Sequence, residues 1–401
     1  MTARNLTLAT AAFALTFWAW NLIGPLSSSY TKMLHLSAGQ TSLLVATPVL
    51  VGSLGRIPVG VLTDRFGGRR MFAVICLLTI IPVMFVGSAN SFGSLLFWAF
   101  LLGVGGTSFA VGIPFVNNWY EASRRGFATG VFGVGMGGTA LSALLTPRLV
   151  EHLGRMTTHL IMAAALAVMG AVMLLFSKDS PKWSPATEPA LPRIREALRM
   201  RATWQGAFLY AVAFGGFVAF STYLPTVLHN VYDFAQSDAG IRTAGFAIAG
   251  VLARPVGGML SDRVGPVRVL IAAFAGVALM AVLLALELPA ELPAGATLVV
   301  MAFFLGLGTG GVFALVAKLV EPARVGTVTG LVGAAGGLGG YFPPLVMGLT
   351  FARTDTYTLG YLLLAGTAAA ALLFTVTLRR AVAPPTHADA AVRAVASRAH
   401  H

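Results

Sequence analysis

Twelve mostly apolar stretches, each near the ~20 residues a helix needs to cross roughly 30 Å of hydrocarbon, follow one another along this chain. They lie at 6–27, 41–62, 70–88, 93–117, 126–149, 158–177, 203–226, 241–261, 267–287, 296–318, 326–349 and 357–378. A backbone inside lipid must satisfy its own N–H and C=O groups, so runs of this length predict helices. With 57% hydrophobic and 10% charged residues and a mean hydropathy of +0.81, the chain has too little polar surface to clothe a soluble domain. The expected fold class is an all-α integral membrane protein of about twelve transmembrane helices. The first run, Leu6 to Leu26, has no small-residue cleavage site and reads as a span, not a removable signal. The one cysteine, Cys76, lies in an apolar run, which rules out an intrachain disulfide.

Forty-six glycines and twenty prolines would suggest disorder in a polar chain. Here they sit inside apolar segments, where small residues let helices approach closely. The long polar stretch SKDSPKWSPATEPALPRIREALRM has the composition of a linker, and its end from Pro192 to Arg201 suits a short interfacial helix. The expected organisation is a six-helix bundle at 1–177, a linker at 178–202, a second bundle at 203–380 and a disordered Ala-rich tail at 381–401. The net charge of +13 comes from residues scattered over short loops without aromatic interleaving, so nucleic acid is not the expected partner. Arg65, Arg69, Arg70, Arg124, Arg125, Lys178, Lys182, Arg193, Arg195, Arg199, Arg201, Arg263, Arg268, Arg324, Arg379 and Arg380 all fall on one side of the predicted spans. Positive loops stay in the cytoplasm, which predicts a multi-pass protein of the cytoplasmic membrane with both termini inside.

The two halves repeat. GRIPVGVLTDRFGGRR and ARPVGGMLSDRVGPVR place Arg56 and Asp64 198 positions before Arg254 and Asp262. EASRRGFATGVFGVGMGG from Glu121 and EPARVGTVTGLVGAAGGLGG from Glu321 repeat at an offset of 200. Parallel six-helix repeats with a DR-G-R turn after the second and eighth helices resemble the major facilitator superfamily. That resemblance implies two bundles related by a pseudo-twofold axis, rocking about a site near the bilayer midplane. It also implies that Asp64, Arg65, Asp262 and Arg263 act as gating or assembly latches.

Arg56 and Arg254 carry the chemistry. Eight residues at about 1.5 Å each put them on the order of 12 Å above the turn, near mid-membrane. A charge there costs roughly 2.5–3.5 kcal/mol on insertion scales, and no Asp or Glu lies deep enough in a predicted span to neutralise it. An uncompensated pair of forked guanidinium donors suits a planar oxyanion, so the expected partner is a small anion. GRIP on helix two, ARPVGG on helix eight and GTVTGLVGAAGGLGGYFPP on helix eleven are similar to the nitrate/nitrite porter family. By that resemblance Phe109 and Phe313 sandwich the flat anion and Tyr210 offers it a hydrogen bond. Gly133, Gly135, Gly137, Gly333, Gly336 and Gly337 belong to the signature runs, where close helix packing is the expected role. This sequence departs from the family at Met136, where an asparagine is usual.

No nucleophile elbow, HExxH, CxxC, P-loop or dinucleotide fingerprint occurs, so neither enzyme chemistry, a cofactor nor a metal is expected. Without a buried carboxylate to carry a proton, the empty carrier would bring two positive charges together, which favours exchange of nitrate for nitrite. Proton symport, or another small monovalent anion such as a carboxylate or cyanate, is the alternative. A monomer is the expected state.

Overall fold

The computed structural model describes residues 2–121, 124–187, 189–290, 292–320 and 324–382; the tail expected to be disordered lies, from 383 onward, outside them, as does Glu321. The described residues are mostly helical, with a non-helical linker between Phe176 and Ala190 and no strand among them. Eleven stretches among them are long and apolar enough to cross a membrane: Thr2–Leu34, Ala38–Phe66, Gly68–Ser88, Phe92–Asn117, Ala128–Leu153, Arg155–Phe176, Arg201–Tyr232, Gln236–Val264, Pro266–Leu284, Leu292–Leu319 and Thr358–Leu378. Ten of these are spans one to ten in chain order, and the last is span twelve. The eleventh expected run, 326–349, is two helices, Val325–Gly339 and Phe342–Thr354, neither of crossing length alone. Pro343 and Pro344 have no N–H to give to the carbonyls four residues back, so the hydrogen-bond ladder cannot run through. Gly340 and Tyr341 between them keep right-handed helical angles, and the two pieces continue one another as span eleven.

Local irregularity concentrates at mid-span. Span four tightens to a 3-10 turn at Gly103–Thr107 and span five at Val134–Gly137, both glycine-rich. The turns after Asp64 and Asp262 end on Gly67 and Gly265, with φ of +84° and +93°, the left-handed region that only glycine enters cheaply. Space at Gly67 is also taken by the Asp179 carboxylate, 2.6 Å from where a β-carbon would stand, and Asp179 Oδ1 accepts from the Arg69 backbone N–H at 3.0 Å. Arg69 in turn donates from its Nε to the Leu174 carbonyl at 3.0 Å, so Asp179 of the linker caps the start of span three and Arg69 the end of span six.

Span three packs against span six and span one against span five, while spans eight, nine and twelve gather around span ten or its neighbour. The two groups meet through spans two with eleven and five with eight. On the face opposite the basic loops this junction is shut by backbone-close contacts. A β-carbon on Gly240 would stand 2.2 Å from the Ala143 carbonyl oxygen, and one on Gly24 would stand 2.4 Å from that of Thr222. Uncharged hydrogen bonds run alongside: Ser27 with Thr226 and Ser42 with Tyr223, both at 2.8 Å, and Ser28 donating to Gln236 Oε1 at 2.8 Å.

Because the Ala143 carbonyl is backbone and cannot swing away, Gly240→Leu is expected to hold this face apart. Spin labels at Lys32 and Asp238, both exposed beside the seam, should then report a longer mean distance than in the parent protein. An unchanged distance distribution would show that the seam does not depend on this contact.

Candidate functional site

Arg56 and Arg254 hold matching places in the duplicated halves. Each stands eighteen residues after the start of its span, Ala38 or Gln236, and ten before its end, Phe66 or Val264. Each also reaches across to the other half. Arg56, on span two, donates from Nη1 to the Gly333 carbonyl on span eleven at 2.7 Å. Arg254, on span eight, donates from Nη1 to the Met136 sulfur on span five at 2.6 Å, and from Nη2 to the Tyr210 hydroxyl at 3.2 Å. The residues that seal two with eleven and five with eight therefore also seat the charges.

Aromatic faces complete the setting. The Arg56 guanidinium carbon lies 5.0 Å from the ring centre of Phe109 and 5.3 Å from that of Phe214. That of Arg254 lies 5.5 Å from Phe109 and 5.6 Å from Phe313. Phe109 thus serves both cations and keeps them close to one another. Ring quadrupoles offset part of the cost of burying guanidinium, most where water is excluded. Tyr210 stacks on Phe214 at 4.9 Å with 4° between planes and leans on Phe313 at 4.6 Å. The four rings, the two arginines and Met136 form one cluster, buried except at Arg254 and Phe313, which are half-buried.

Among the described residues, no carboxylate enters it. The nearest acids in sequence, Asp64 and Asp262, stand at the far ends of the same spans and are exposed. Arg56 is 4% exposed, and its Nε–H finds no acceptor among the described residues. A buried guanidinium donor without a partner costs more than a neutral one, so the cluster favours an incoming anion that can accept from it.

Of the residues singled out in the sequence, Arg56, Arg254, Phe109, Phe313, Tyr210 and Met136 converge. Gly333 joins them, its carbonyl taken by Arg56, and a β-carbon on Gly133 would stand 3.9 Å from Arg254 Nε. Gly135, Gly336 and Gly337 pack instead: their β-carbons would meet Phe13, Tyr210 and Ser53 at 2.5, 2.1 and 2.1 Å, while one on Gly137 meets nothing within 4 Å. Asp64, Arg65, Asp262 and Arg263 lie apart from the cluster with exposed side chains at the basic face. The ion pair described on that face joins Arg324 to Glu196 of the linker at 2.7 Å. Sequence reasoning passed over Phe214, although it follows Tyr210 by one helical turn and so shares its face.

The profile of the Major Facilitator Superfamily matches residues 9–312 and 232–399. A probable nitrate/nitrite transporter of Mycobacterium tuberculosis is 57% identical over 377 residues, 93% of this chain and 95% of that one. The chain belongs to the nitrate/nitrite porters of this superfamily. The porter is also similar to a nitrite extrusion protein of Bacillus subtilis, 35% identical over 385 residues and 96% of each chain. A probable nitrate/nitrite antiporter of Thermus thermophilus shares 35% over 373 residues, 85% of this chain and 84% of that one. Among solved structures, a bacterial homolog of the human lysosomal transporter Spinster, inward-facing and unoccupied, superposes with a TM-score of 0.67 over 94% of this chain and 95% of that one, at 19% identity. The fold is that of the major facilitators, and the porter is a transporter, not an enzyme.

Overpacking distinguishes the two kinds of signature glycine. In Gly336→Ala the new methyl falls on the Tyr210 ring, and the strain should cost about 1–3 kcal/mol, read as a lower thermal unfolding temperature. Gly137→Ala opens onto free space and should leave that temperature unchanged.

Proposed function

We propose that this porter exchanges nitrate for nitrite across the cytoplasmic membrane by alternating access, with Arg56 and Arg254 as the anion ligands. The carrying observation is that both guanidinium groups lie over one ring, Phe109, in a cluster that no carboxylate of the described residues enters. A flat, delocalised and weakly hydrated anion meets forked donors at its edge and apolar rings at its faces, while a strongly hydrated anion loses more on leaving water. Tyr210 adds a hydroxyl already hydrogen-bonded to Arg254. The names of the relatives from Mycobacterium tuberculosis, Bacillus subtilis and Thermus thermophilus, a nitrate/nitrite transporter, a nitrite extrusion protein and a nitrate/nitrite antiporter, support the same substrate pair.

The working unit is one chain divided at the linker into halves 1–177 and 203–380, with the basic loops and both termini in the cytoplasm. In that orientation the shut seam described above is the outer gate. Asp64, Arg65, Asp262 and Arg263 sit where inward opening separates the halves, which suits them to latch that movement. Anion binding bridges Arg56 of one half to Arg254 of the other and neutralises their repulsion, so a loaded carrier reorients and an empty one does not.

Arg56→Lys and Arg254→Lys keep the charge and lose the fork. Each should weaken nitrate binding by at least about tenfold while the protein folds normally; titration calorimetry giving near-parental affinity for either would remove the arginines from the site. Exchange makes a separate demand. Nitrate-loaded proteoliposomes should release label rapidly only with nitrate or nitrite outside, and an inward proton gradient alone should drive little uptake into anion-free vesicles. Fast gradient-driven uptake would replace exchange by proton symport and leave the anion site standing.

A further inference from the structure

The linker between the halves carries a helix, Ala190–Arg199, whose three faces differ. Ala190, Ile194 and Ala197 turn inward, Ala197 being fully covered. Glu196 turns to the second half and pairs with Arg324. Among the exposed residues, which also include Pro192 and Arg193, the stripe Leu191, Arg195, Leu198 and Arg199 follows helical spacing, with Leu191 at 74%. Two large leucines interleaved with two arginines on a solvent face would be an unusual choice for water alone.

The next helix fixes the level at which this stripe lies. At the start of span seven, Arg201, Trp204 and Phe208 form a second exposed stripe, spaced by three and four residues. Its order runs from charge through indole to phenyl as the span leaves its end, which is the polarity gradient of headgroup, interface and hydrocarbon. Trp204 therefore marks the bilayer surface, and its indole Nε1–H donates to the Leu198 carbonyl at 2.8 Å. The linker helix is tied by that bond to the interface itself.

We propose that the face Leu191–Arg195–Leu198–Arg199, extended by Arg201 and Trp204, docks on the anionic phospholipid headgroups of the leaflet that the basic loops face. The leucines enter the acyl boundary, and the guanidinium forks bind lipid phosphates. The only acid of the helix, Glu196, is occupied by Arg324 on another face and does not compete. The opposite anchors of the linker make the docking consequential for the fold. Its first part is held to the first half, with the Lys178 backbone N–H donating to Asn5 Oδ1 at 2.9 Å and that of Ala186 to the Asp64 carbonyl at 3.0 Å, while its helix pairs Glu196 with Arg324 of the second half and brings Arg193 within electrostatic reach of Asp64 of the first. A lipid-bound helix thus gives the linker a fixed seat on the membrane at the point where both halves meet it.

The test places an environment-sensitive fluorophore at Leu191→Cys in a Cys76→Ser background, in the full-length protein. Reconstitution into phosphatidylcholine is compared with a phosphatidylcholine–phosphatidylglycerol mixture. The emission should shift to the blue in the mixture, return toward the phosphatidylcholine value in high salt, and fail to shift in Arg195→Gln/Arg199→Gln. Identical emission in both lipids overturns the proposal, as does an equal shift in the double variant. If that variant does not fold, the salt titration of the labelled parent decides alone, and a salt-insensitive shift overturns the anionic-lipid assignment. A blue shift that appears in both lipids only on adding soluble protein would assign the face to a protein partner instead and also overturn it.

Discussion

Two arginines placed mid-span among aromatic rings are the constraint around which the molecule is organised. A charge taken out of water is costly unless it finds partners, so Arg56 and Arg254 dictate what stands beside them. With no acid in the cluster, each must be accommodated by weaker acceptors: a carbonyl, a thioether, a phenol oxygen and the faces of Phe109, Phe214 and Phe313. Each of these partners accepts or polarises without neutralising, so the cluster retains a net attraction for anions. The charges are also the reason the two halves have a shared interior. Each arginine makes one hydrogen bond to the opposite half, Arg56 to Gly333 and Arg254 to Met136, and separation of the halves breaks that bond while Phe109 stays with Arg56 and Tyr210 and Phe313 stay with Arg254.

That reciprocity depends on close helix approach, which the glycines supply. Spans eight and ten meet backbone to backbone, a β-carbon on Gly257 standing 2.3 Å from the Leu307 carbonyl oxygen and one on Gly310 standing 2.3 Å from that of Arg254 itself. Spans two and four do the same through Gly103, 2.6 Å from the Pro48 carbonyl oxygen. In each half the helix carrying the arginine is pressed against the helix carrying a phenylalanine, Arg56 with Phe109 and Arg254 with Phe313. Duplication of the sequence thus becomes duplication of a cation–ring unit, and the pseudo-twofold axis brings the two units together at the junction. The symmetry is imperfect: Arg56 holds a backbone carbonyl and Arg254 a methionine sulfur, a weaker acceptor.

Ends and middle of the protein use different physics. The seam away from the basic loops closes on neutral hydroxyl and amide hydrogen bonds and on glycine contacts, which can be remade many times without desolvating a charge. The basic face instead has helix caps from Asp179 and Arg69 and an ion pair from Glu196 to Arg324, contacts weakened by water and salt. A carrier that alternates between two openings needs its buried seam to be breakable, and neutral hydrogen bonds part without leaving a charge in the interior.

Much of this was legible in the sequence because it rests on local pattern. Apolar length gave the spans, since lipid leaves a backbone little choice but helix, and the repeat of Arg56–Asp64 at Arg254–Asp262 gave the halves and the paired charges. The resemblance to nitrate/nitrite porters pointed to Phe109, Phe313 and Tyr210. The break of span eleven at Gly340–Tyr341 was written in Pro343 and Pro344 but masked by their apolar surroundings. What the sequence by itself determined is therefore the class of fold, the mid-span position of each arginine and the absence of acids beside them, all properties of one segment at a time. Only the tertiary structure decided which segments share an interface: that Gly333 offers a carbonyl to Arg56 and Met136 a sulfur to Arg254, that Phe109 lies under both cations, and that Phe214 belongs with them. Those are contacts between residues some 118 to 277 positions apart, set by helix crossing and close packing, for which no local spacing in the chain carries a signal.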